Sequence, residues 1–313
     1  MSEIHVQSPG LLTTVQDLGR EGFGPLGVSP SGAADPVSLR VGNRLVGNPK
    51  GAAALEMTLL GGTFLFPQGA ILALTGSDFG STLDSVPLAH STAVEVSPGQ
   101  TLRVGSTRSG ARCYLCVQGS VVVKPFLNSA STHLLSGLGG HQGRALRKGD
   151  VLHIGPPITS FRKRTIVSRA AEQLAPCKLL RVTPGPQSDW FSRSSLQAFY
   201  AGTYRVTEES NRMGLRLEGK PVAAESGGEM ITEGVSIGAV QITAGGLPII
   251  LFVEQQTTGG YAKIANVISA DLHSLGQLRP RDDVRFEQVS WETARALFRE
   301  QEKLLASEDL LSE

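Results

Sequence analysis

The sequence predicts a mainly β protein built from two related halves. Glycine supplies 37 of 313 residues, well above the usual share of about 7%, and the apolar residues fall in many short runs separated by turn residues. Residues 146–151 (LRKGDV) and 278–284 (LRPRDDV) match with one inserted residue, and Pro-Gly turns at 9–10 and 184–185 open the two halves. Such a repeat indicates two related β domains, although chance similarity between β turns is an alternative.

Composition excludes several functional classes. The net charge is +1 and 18% of the residues are charged, whereas a nucleic-acid-binding protein carries a concentrated basic excess. The basic cluster of residues 162–164 with Arg169 is short and typical of a solvated linker. The chain starts with polar residues and contains no apolar run of membrane-spanning length. We therefore expect a soluble cytoplasmic protein with no nucleic-acid or membrane partner.

The cysteines and histidines predict neither a metal site nor a disulfide framework. There are three cysteines, and Cys113 and Cys116 form a C-x-x-C within a predicted strand, where residues three apart point to opposite faces. A redox or zinc pair usually occupies a turn, and zinc needs further ligands. We interpret this pair as structural. The six histidines are scattered, without the H-x-x-x-H or H-x-H spacing of metal ligands.

The first half contains one predicted helix and then short strands. The helix spans residues 36–46, with Asp35 as its N-cap, Pro36 at its first position and Gly47 after its end. Short strands interrupted by turns follow over residues 63–154.

A change of composition at residues 155–176, with two prolines and the basic cluster, predicts a domain boundary. We predict one β domain at residues 1–165, a second at 176–290, and a C-terminal helix and tail at 291–313.

The second half opens with a predicted helix at residues 188–199, capped by Ser188. Alternating or apolar runs predict the six strands 203–207, 215–217, 235–242, 249–253, 264–268 and 284–289. The last helix spans residues 291–305, with Ser290 as its cap and one apolar stripe. That stripe consists of Trp291, Ala294, Phe298 and Leu305. The tail at residues 306–313 is predicted to fray.

Residues 245–263 form the most informative stretch. A glycine turn at 245–246 precedes the apolar strand 249–253, which leads to a polar loop at 255–261 and then to Lys263. A buried strand that presents amides, hydroxyls, two glycines and a lysine at its end is a common way to build a site, because glycines let backbone N–H groups approach a ligand. A glycine hairpin with solvent-facing polar residues explains the same pattern.

A second candidate lies at residues 208–219. Arg212, beside Asn211 and Gly214, has the planar guanidinium that clamps a carboxylate, and a surface arginine in a charged loop is the alternative. No ATP-binding G-x-x-x-x-G-K-S/T, no G-x-G-x-x-G behind a strand, no G-x-S-x-G and no biotin-carrying Met-Lys-Met is present. If the reaction needs ATP or biotin, a partner supplies it.

Several short motifs occur along the chain in a fixed order. They are residues 8–20 (SPGLLTTVQDLGR), 32–35 (GAAD), 54–59 (ALEMTL), 75–78 (TGSD), 210–214 (SNRMG), 238–242 (GAVQI) and 256–263 (QTTGGYAK). These motifs resemble the biotin-dependent carboxyltransferase family, which includes KipA, the C subunit of bacterial 5-oxoprolinase (PxpC) and the carboxyltransferase domain of urea carboxylase (urea amidolyase). The resemblance covers residues 3–290 and implies two cyclophilin-like β-barrel domains. It also implies a KipI-like partner subunit (PxpB) and, for lactam cleavage, a LamB-like subunit (PxpA).

One motif departs from the family. The family often has Asp/Ala-Arg-Gln before Thr-Thr-Gly-Gly, where this chain has Glu254, Gln255 and Gln256. A positive charge is therefore missing at this point. Whether Asp35, Glu56 and Asp78 of the first half contribute to a site is left open, since they can also cap turns and helices.

The resemblance favours an ATP-hydrolysing 5-oxoprolinase subunit that converts 5-oxoproline to L-glutamate and is inactive without its partners. We expect Lys263 to supply positive charge, Arg212 to hold a carboxylate and Gln256 to orient the substrate. The further binding residues expected are Asn211, Thr257, Thr258, Gly259, Gly260 and Tyr261. Two alternatives remain open, a biotin-dependent urea or amide carboxyltransferase and a non-catalytic KipA-like regulatory protein; a prolyl isomerase rests on fold analogy alone.

Overall fold

The computed structural model describes residues 2–224 and 229–313. These residues are mainly β, which confirms the predicted fold class. The strands are β1 (Ser2–Ser8), β2 (Leu12–Gln16), β3 (Ala54–Thr58), β4 (Thr63–Phe66), β5 (Ala70–Gly76), β6 (Thr82–Leu83), β7 (Val86–Pro87), β8 (Val94–Val96), β9 (Gln100–Arg103), β10 (Arg112–Val117), β11 (Val121–Val122), β12 (Val151–Ile154), β13 (Thr165–Ile166), β14 (Leu179–Pro184), β15 (Tyr204–Val206), β16 (Gly214–Glu218), β17 (Glu229–Gly234), β18 (Ala239–Ile242), β19 (Pro248–Leu251), β20 (Thr258–Tyr261), β21 (Lys263–Val267), β22 (Asp283–Gln288) and β23 (Leu311–Ser312). The α-helices are α1 (Pro36–Leu45), α2 (Ser168–Gln173), α3 (Arg193–Ala201), α4 (Leu272–Leu275) and α5 (Trp291–Ala306).

Two compact units make up the chain. The first comprises residues 2–20, Ser31–Leu174 and Leu304–Glu313, and the second comprises Glu21–Pro30 and Ala175–Lys303. A short N-terminal segment thus belongs to the second unit. The domain limits 1–165, 176–290 and 291–313 remain a prediction.

The first unit is layered. A seven-stranded sheet has the order β11-β12-β1-β4-β9-β6-β7, and a five-stranded sheet has the order β2-β3-β10-β5-β8. One apolar core contains residues of both sheets, and a second lies between the five-stranded sheet and α1. The five-stranded sheet is therefore covered on both faces, and every residue of β10 is buried.

The cysteine pair follows this layering. Cys113 belongs to the core between the sheets and Cys116 to the core beneath α1. Both thiols are free and fully buried, and this burial raises the pKa of each well above its usual value. The prediction that the two side chains point to opposite faces of a strand is confirmed.

Helix α1 begins at the predicted residue and ends at Leu45, one residue before the predicted end. The Asp35 side chain accepts hydrogen bonds from Ser38 N at 2.9 Å and from Ser38 Oγ at 2.6 Å, and Pro36 occupies the first turn. Asp35 therefore serves as an N-cap.

The repeated turn has the same hydrogen bonds in both units. Arg147 N donates to Asp150 Oδ2 at 2.7 Å, and Asp150 N donates to Arg147 O at 3.2 Å. Arg279 and Asp282 make the same two bonds, at 2.8 Å and 3.1 Å. The turns therefore correspond residue for residue, and the inserted residue, Asp283, follows them.

The strands that receive these turns correspond as well. Val6 N of β1 donates to Asp150 O, and Val206 N of β15 donates to Asp282 O, both at 2.9 Å. Strand β1 thus matches β15, whereas the Pro184-Gly185 turn ends β14. The shared bonds support a repeated unit, but pairing the two Pro-Gly turns with each other was wrong.

The Asp150 turn gives a pH-dependent prediction. The Arg144 guanidinium donates to Asp150 Oδ2 at 2.8 Å and to Asp150 Oδ1 at 2.9 Å. These bonds lower the pKa of Asp150 to about 2, from about 3.9 in an unfolded chain. This stabilisation is complete above pH 4 and is lost as the pH falls towards 2. We expect Asp150→Asn to lower the free energy of unfolding by about 1–2 kcal/mol at pH 7, after screening by solvent, and by much less near pH 2.

Chemical denaturation at the two pH values measures this difference. The matched control is Asp84→Asn, which alters an exposed turn where Asp84 accepts from Thr101 N at 2.9 Å. If Asp150→Asn lowers the free energy of unfolding by the same amount at both pH values, the carboxylate charge does not stabilise the turn.

The second unit is a closed barrel. Its strands follow the order β14-β21-β18-β19-β16-β15-β22, and β14 and β22 run parallel while the other neighbours are antiparallel. Strands β17 and β20 form a separate two-stranded sheet. The predicted loop at 255–261 is therefore only partly correct, because Thr258–Tyr261 pairs with a strand about 25 residues earlier that local sequence pattern does not reveal.

Three further expectations need correction. The cap of α3 is Ser192, whose side chain accepts from Ser195 N at 3.1 Å, while Ser188 begins a short 3-10 helix. Trp291 and Phe298 of α5 are exposed, so the predicted apolar stripe is not a buried one. The tail is ordered: Leu310 is fully buried and β23 pairs with β13.

Candidate functional site

Lys263 begins β21 and is held by a tight loop. Its N–H donates to Gln187 Oε1 at 3.2 Å, and Gln187 N donates to Lys263 O at 3.3 Å. Gly185 makes this approach possible, because a Cβ there would lie 2.2 Å from Lys263 O. The loop after β14 therefore fixes the main chain of Lys263.

The side chain of Lys263 forms an ion pair with Glu233 of β17. Lys263 Nζ lies 2.5 Å from Glu233 Oε1, and Gln187 Nε2 donates to the same oxygen at 3.0 Å. The side chain of Lys263 is 4% exposed and that of Glu233 is 44% exposed. The hydrogen bonds from Lys263 and then Gln187 lower the pKa of Glu233. The lysine that the sequence predicts to supply positive charge therefore already has a carboxylate partner.

Arg212 lies in a buried ion pair with Glu254. The two side chains are 7% and 3% exposed, and Glu254 N donates to Arg212 O at 2.7 Å. Glu254 thus gives Arg212 a counter-charge, and the positive charge that the family pattern would place at residue 255 is replaced by the neutral Gln255. Asn211 accepts from Met213 N at 2.8 Å and so holds the turn.

The predicted Thr-Thr-Gly-Gly-Tyr residues have different surroundings. Thr257 is half-buried, whereas Gln256, Thr258 and Tyr261 are exposed. Gly259 and Gly260 lie in β20 without positive φ angles. A Cβ on Gly259 would lie 2.6 Å from Gln241 Nε2, so the glycine permits close packing in the strand. A ligand-binding role for these two amides remains a prediction.

An open cavity of about 690 Å³ in the second unit contains the Lys263–Glu233 pair. Of the predicted residues, Thr257, Thr258 and Lys263 line it. The full lining is Gly24, Pro25, Gly27, Pro186, Glu233, Gly234, Val235, Ser236, Thr257, Thr258, Lys263 and Asn266. Sequence reasoning missed Glu233, Ser236, Asn266 and the segment near residue 25, since nothing in the local pattern links these positions.

The acidic residues of the first unit make structural contacts. Glu56 Oε2 accepts from Tyr114 Oη at 2.7 Å and from Ala34 N at 2.8 Å. Burial, and then the Glu56 charge, raise the pKa of Tyr114 well above its usual value. Asp78 pairs with Arg108 at 2.8 Å.

Within residues 2–224 and 229–313, no cluster of three or more histidine, cysteine, aspartate or glutamate side chains could hold a metal ion. Over the same ranges, no helix has both the length and the apolarity to cross a membrane.

Comparison with known proteins identifies the family. The profile of the carboxyltransferase domain, subdomain A and B, matches residues 26–288. The chain belongs to this family. The resemblance found in the motifs is thereby confirmed.

Relatives of this carboxyltransferase-domain chain carry two kinds of name. The C subunit of 5-oxoprolinase from Escherichia coli strain K12 is 38% identical over 285 residues, which is 91% of each chain. The protein of the same name from Haemophilus influenzae is 37% identical over 292 residues, 92% of each. The crystal structure of the K. lactis urea amidolyase superposes with a TM-score of 0.90 at 31% identity. That match covers 99% of this chain and 21% of the urea amidolyase, so this chain spans about a fifth of the larger protein.

Proposed function

We propose that this chain is the C subunit of an ATP-dependent 5-oxoprolinase, which cleaves 5-oxoproline to L-glutamate together with partner subunits. The observation that carries this function is the match along 91% of both chains to a protein named as the C subunit of 5-oxoprolinase. The urea amidolyase match, by contrast, leaves most of that larger protein without a counterpart.

The cavity supports chemistry on an amide. A lactam carbonyl is a poor electrophile, so catalysis needs donors aimed at the oxygen where negative charge develops. Lys263 Nζ has three N–H donors, and Ser236, Thr257 and Thr258 add hydroxyl groups to the cavity lining. The buried position of Lys263 strengthens its interaction with such an oxygen, because little water competes.

The charges that line the cavity do not favour ATP. Among the described residues, the lining contains one cation, Lys263, and one anion, Glu233, which compensate each other. A triphosphate needs a surplus of positive charge or a cradle of backbone amides. We assign the nucleotide to another subunit.

The partners follow from the proposed function. A KipI-like subunit (PxpB) and a LamB-like subunit (PxpA) would complete a cytoplasmic hydrolase complex, and this chain alone would be inactive. Biotin is not required as a prosthetic group of this chain.

Reconstitution tests this function. Glutamate release from 5-oxoproline and ATP is measured with all three subunits, and then with each subunit omitted in turn. We expect activity only in the full mixture. Equal activity in the mixture lacking this chain would contradict its assignment as a required subunit.

A carboxyltransferase that moves CO₂ from carboxybiotin to urea or another amide is the second candidate, favoured by the TM-score of 0.90 with the urea amidolyase. The same cavity would then hold a ureido group. Avidin blotting of proteins that co-purify with this chain separates the two functions, because the carboxyltransferase needs a biotinylated partner and the 5-oxoprolinase does not. Absence of any biotinylated band would contradict it.

A further inference from the structure

We propose that Lys263 and Glu233 act together as a recognition pair for a neutral cyclic amide, with Lys263 donating to the carbonyl oxygen and Glu233 accepting from the adjacent N–H. This role rests on the proposed function and names the part of the substrate that the pair binds. It differs from the expectation that Lys263 binds an anion.

The electrostatics of the pair disfavour an anionic ligand at Lys263. Glu233 Oε1 lies 2.5 Å from Lys263 Nζ, so a substrate carboxylate placed on the ammonium would also face the carboxylate of Glu233. Like charges at such separations repel strongly where water is scarce. A neutral group that needs both a donor and an acceptor meets no such penalty.

The hydrogen bonds already made leave capacity for such a group. Lys263 Nζ contacts Glu233 Oε1 and, at 3.9 Å, the sulfur of Met230, and an ammonium has three donors. Both hydrogen-bonded contacts of the Glu233 carboxylate, from Lys263 and Gln187, fall on Oε1. Among the described residues, Oε2 therefore accepts no hydrogen bond.

Lys263 is fixed in place and Glu233 is accessible, which suits Lys263 to donate to the carbonyl oxygen and Glu233 to accept from the N–H of a ligand. The Lys263 main chain is fastened on both sides by Gln187, and its side chain is almost fully buried, so its donor has a defined position. The Glu233 side chain is 44% exposed and lines the cavity, so a ligand can reach Glu233 Oε2.

A lactam matches this arrangement. Its ring forces the amide into the cis form, which places the N–H and the C=O on the same edge. An extended peptide bond is trans and presents them in opposite directions. The substrate carboxylate is then left to the neutral hydroxyl donors of Ser236, Thr257 and Thr258, which line the same cavity.

Binding of uncharged probes to the full chain tests the pair without any need for catalysis. Ligand-observed NMR titration gives the affinities of 2-pyrrolidinone, N-methyl-2-pyrrolidinone and γ-butyrolactone; the last two lack the N–H. We expect 2-pyrrolidinone to bind about tenfold more tightly than either, as one charge-assisted hydrogen bond provides.

Variants assign the preference to the pair. Glu233→Ala should reduce the preference for the N–H probe to less than about threefold, and Glu233→Gln, which keeps an acceptor, should restore part of it. Lys263→Met should lower the affinities for 2-pyrrolidinone and γ-butyrolactone by similar factors. Asp283→Ala is the matched control, since it breaks an exposed ion pair with Arg205 at 3.0 Å in the same unit, and it should leave the preference unchanged.

Three results would overturn the assignment: no binding of 2-pyrrolidinone, equal binding of the three probes, or a preference that persists in Glu233→Ala. A lactam preference in a chain whose assembled complex releases no glutamate would instead reject the 5-oxoprolinase function and retain the cyclic-amide site. If a complex that contains Glu233→Ala releases glutamate, and the variant keeps the preference for 2-pyrrolidinone, the Lys263–Glu233 recognition pair is rejected and the 5-oxoprolinase function is retained.

Discussion

Replacing Lys263 by methionine is expected to lower kcat/KM for 5-oxoproline by about 30-fold or more in the assembled complex. This corresponds to about 2 kcal/mol, the usual size of a lost contact from a charged donor. Methionine fills most of the buried space, and the half-exposed Glu233 can turn to water. The thermal stability of the chain should therefore change little, because the carboxylate that remains is solvated and is not left as a buried charge.

The matched control for this prediction is Lys220→Met, at an exposed position of the same unit. Steady-state kinetics and a pull-down of the partner subunits are measured on both variants. Retained activity with Lys263→Met would contradict the catalytic role of the lysine. Retained partner binding with lost activity would distinguish a catalytic role from that of a regulatory binding protein, whose function would survive the change.

The second large effect is expected at the Arg212–Glu254 pair. Glu254→Ala removes the carboxylate from a guanidinium that is 7% exposed, and removing one partner of a buried pair typically costs about 3–5 kcal/mol. The double variant Arg212→Met with Glu254→Leu should cost clearly less than the sum of the two single variants, because it leaves no buried charge. Chemical denaturation of the isolated chain gives these values.

The exposed Arg205–Asp283 pair provides the comparison, at 3.0 Å but with both side chains more than half exposed. Breaking it should lower the free energy of unfolding far less than breaking the buried pair does. If breaking either pair lowers the free energy of unfolding by the same amount, Arg212 is not stabilised by a buried partner. Glu254→Ala with full stability and lost activity would return Arg212 to the substrate-clamping role expected from the sequence.

Local pattern predicted the parts of the fold that depend on neighbouring residues. Asp35 and Pro36 begin α1, and the single apolar strand with Cys113 and Cys116 was recognised because side chains alternate along a strand. The repeated turn was visible because Asp150 and Asp282 bond to a backbone N–H three residues earlier.

Long-range contacts explain what the sequence did not reveal. Lys263 was a candidate because it follows a polar, glycine-containing stretch, but its partners Glu233 and Gln187 are 30 and 76 residues earlier. The exposed Trp291 of α5 illustrates the same limit, since helical spacing identifies an apolar stripe without showing whether anything covers it.

The most direct test of the proposed function compares substrates in one assembled complex. ATP hydrolysis and product formation are measured with 5-oxoproline and, separately, with urea plus bicarbonate. We expect glutamate and ATP turnover with 5-oxoproline and background rates with urea. ATP turnover with urea, dependent on a biotinylated subunit and absent with 5-oxoproline, would contradict the 5-oxoprolinase assignment.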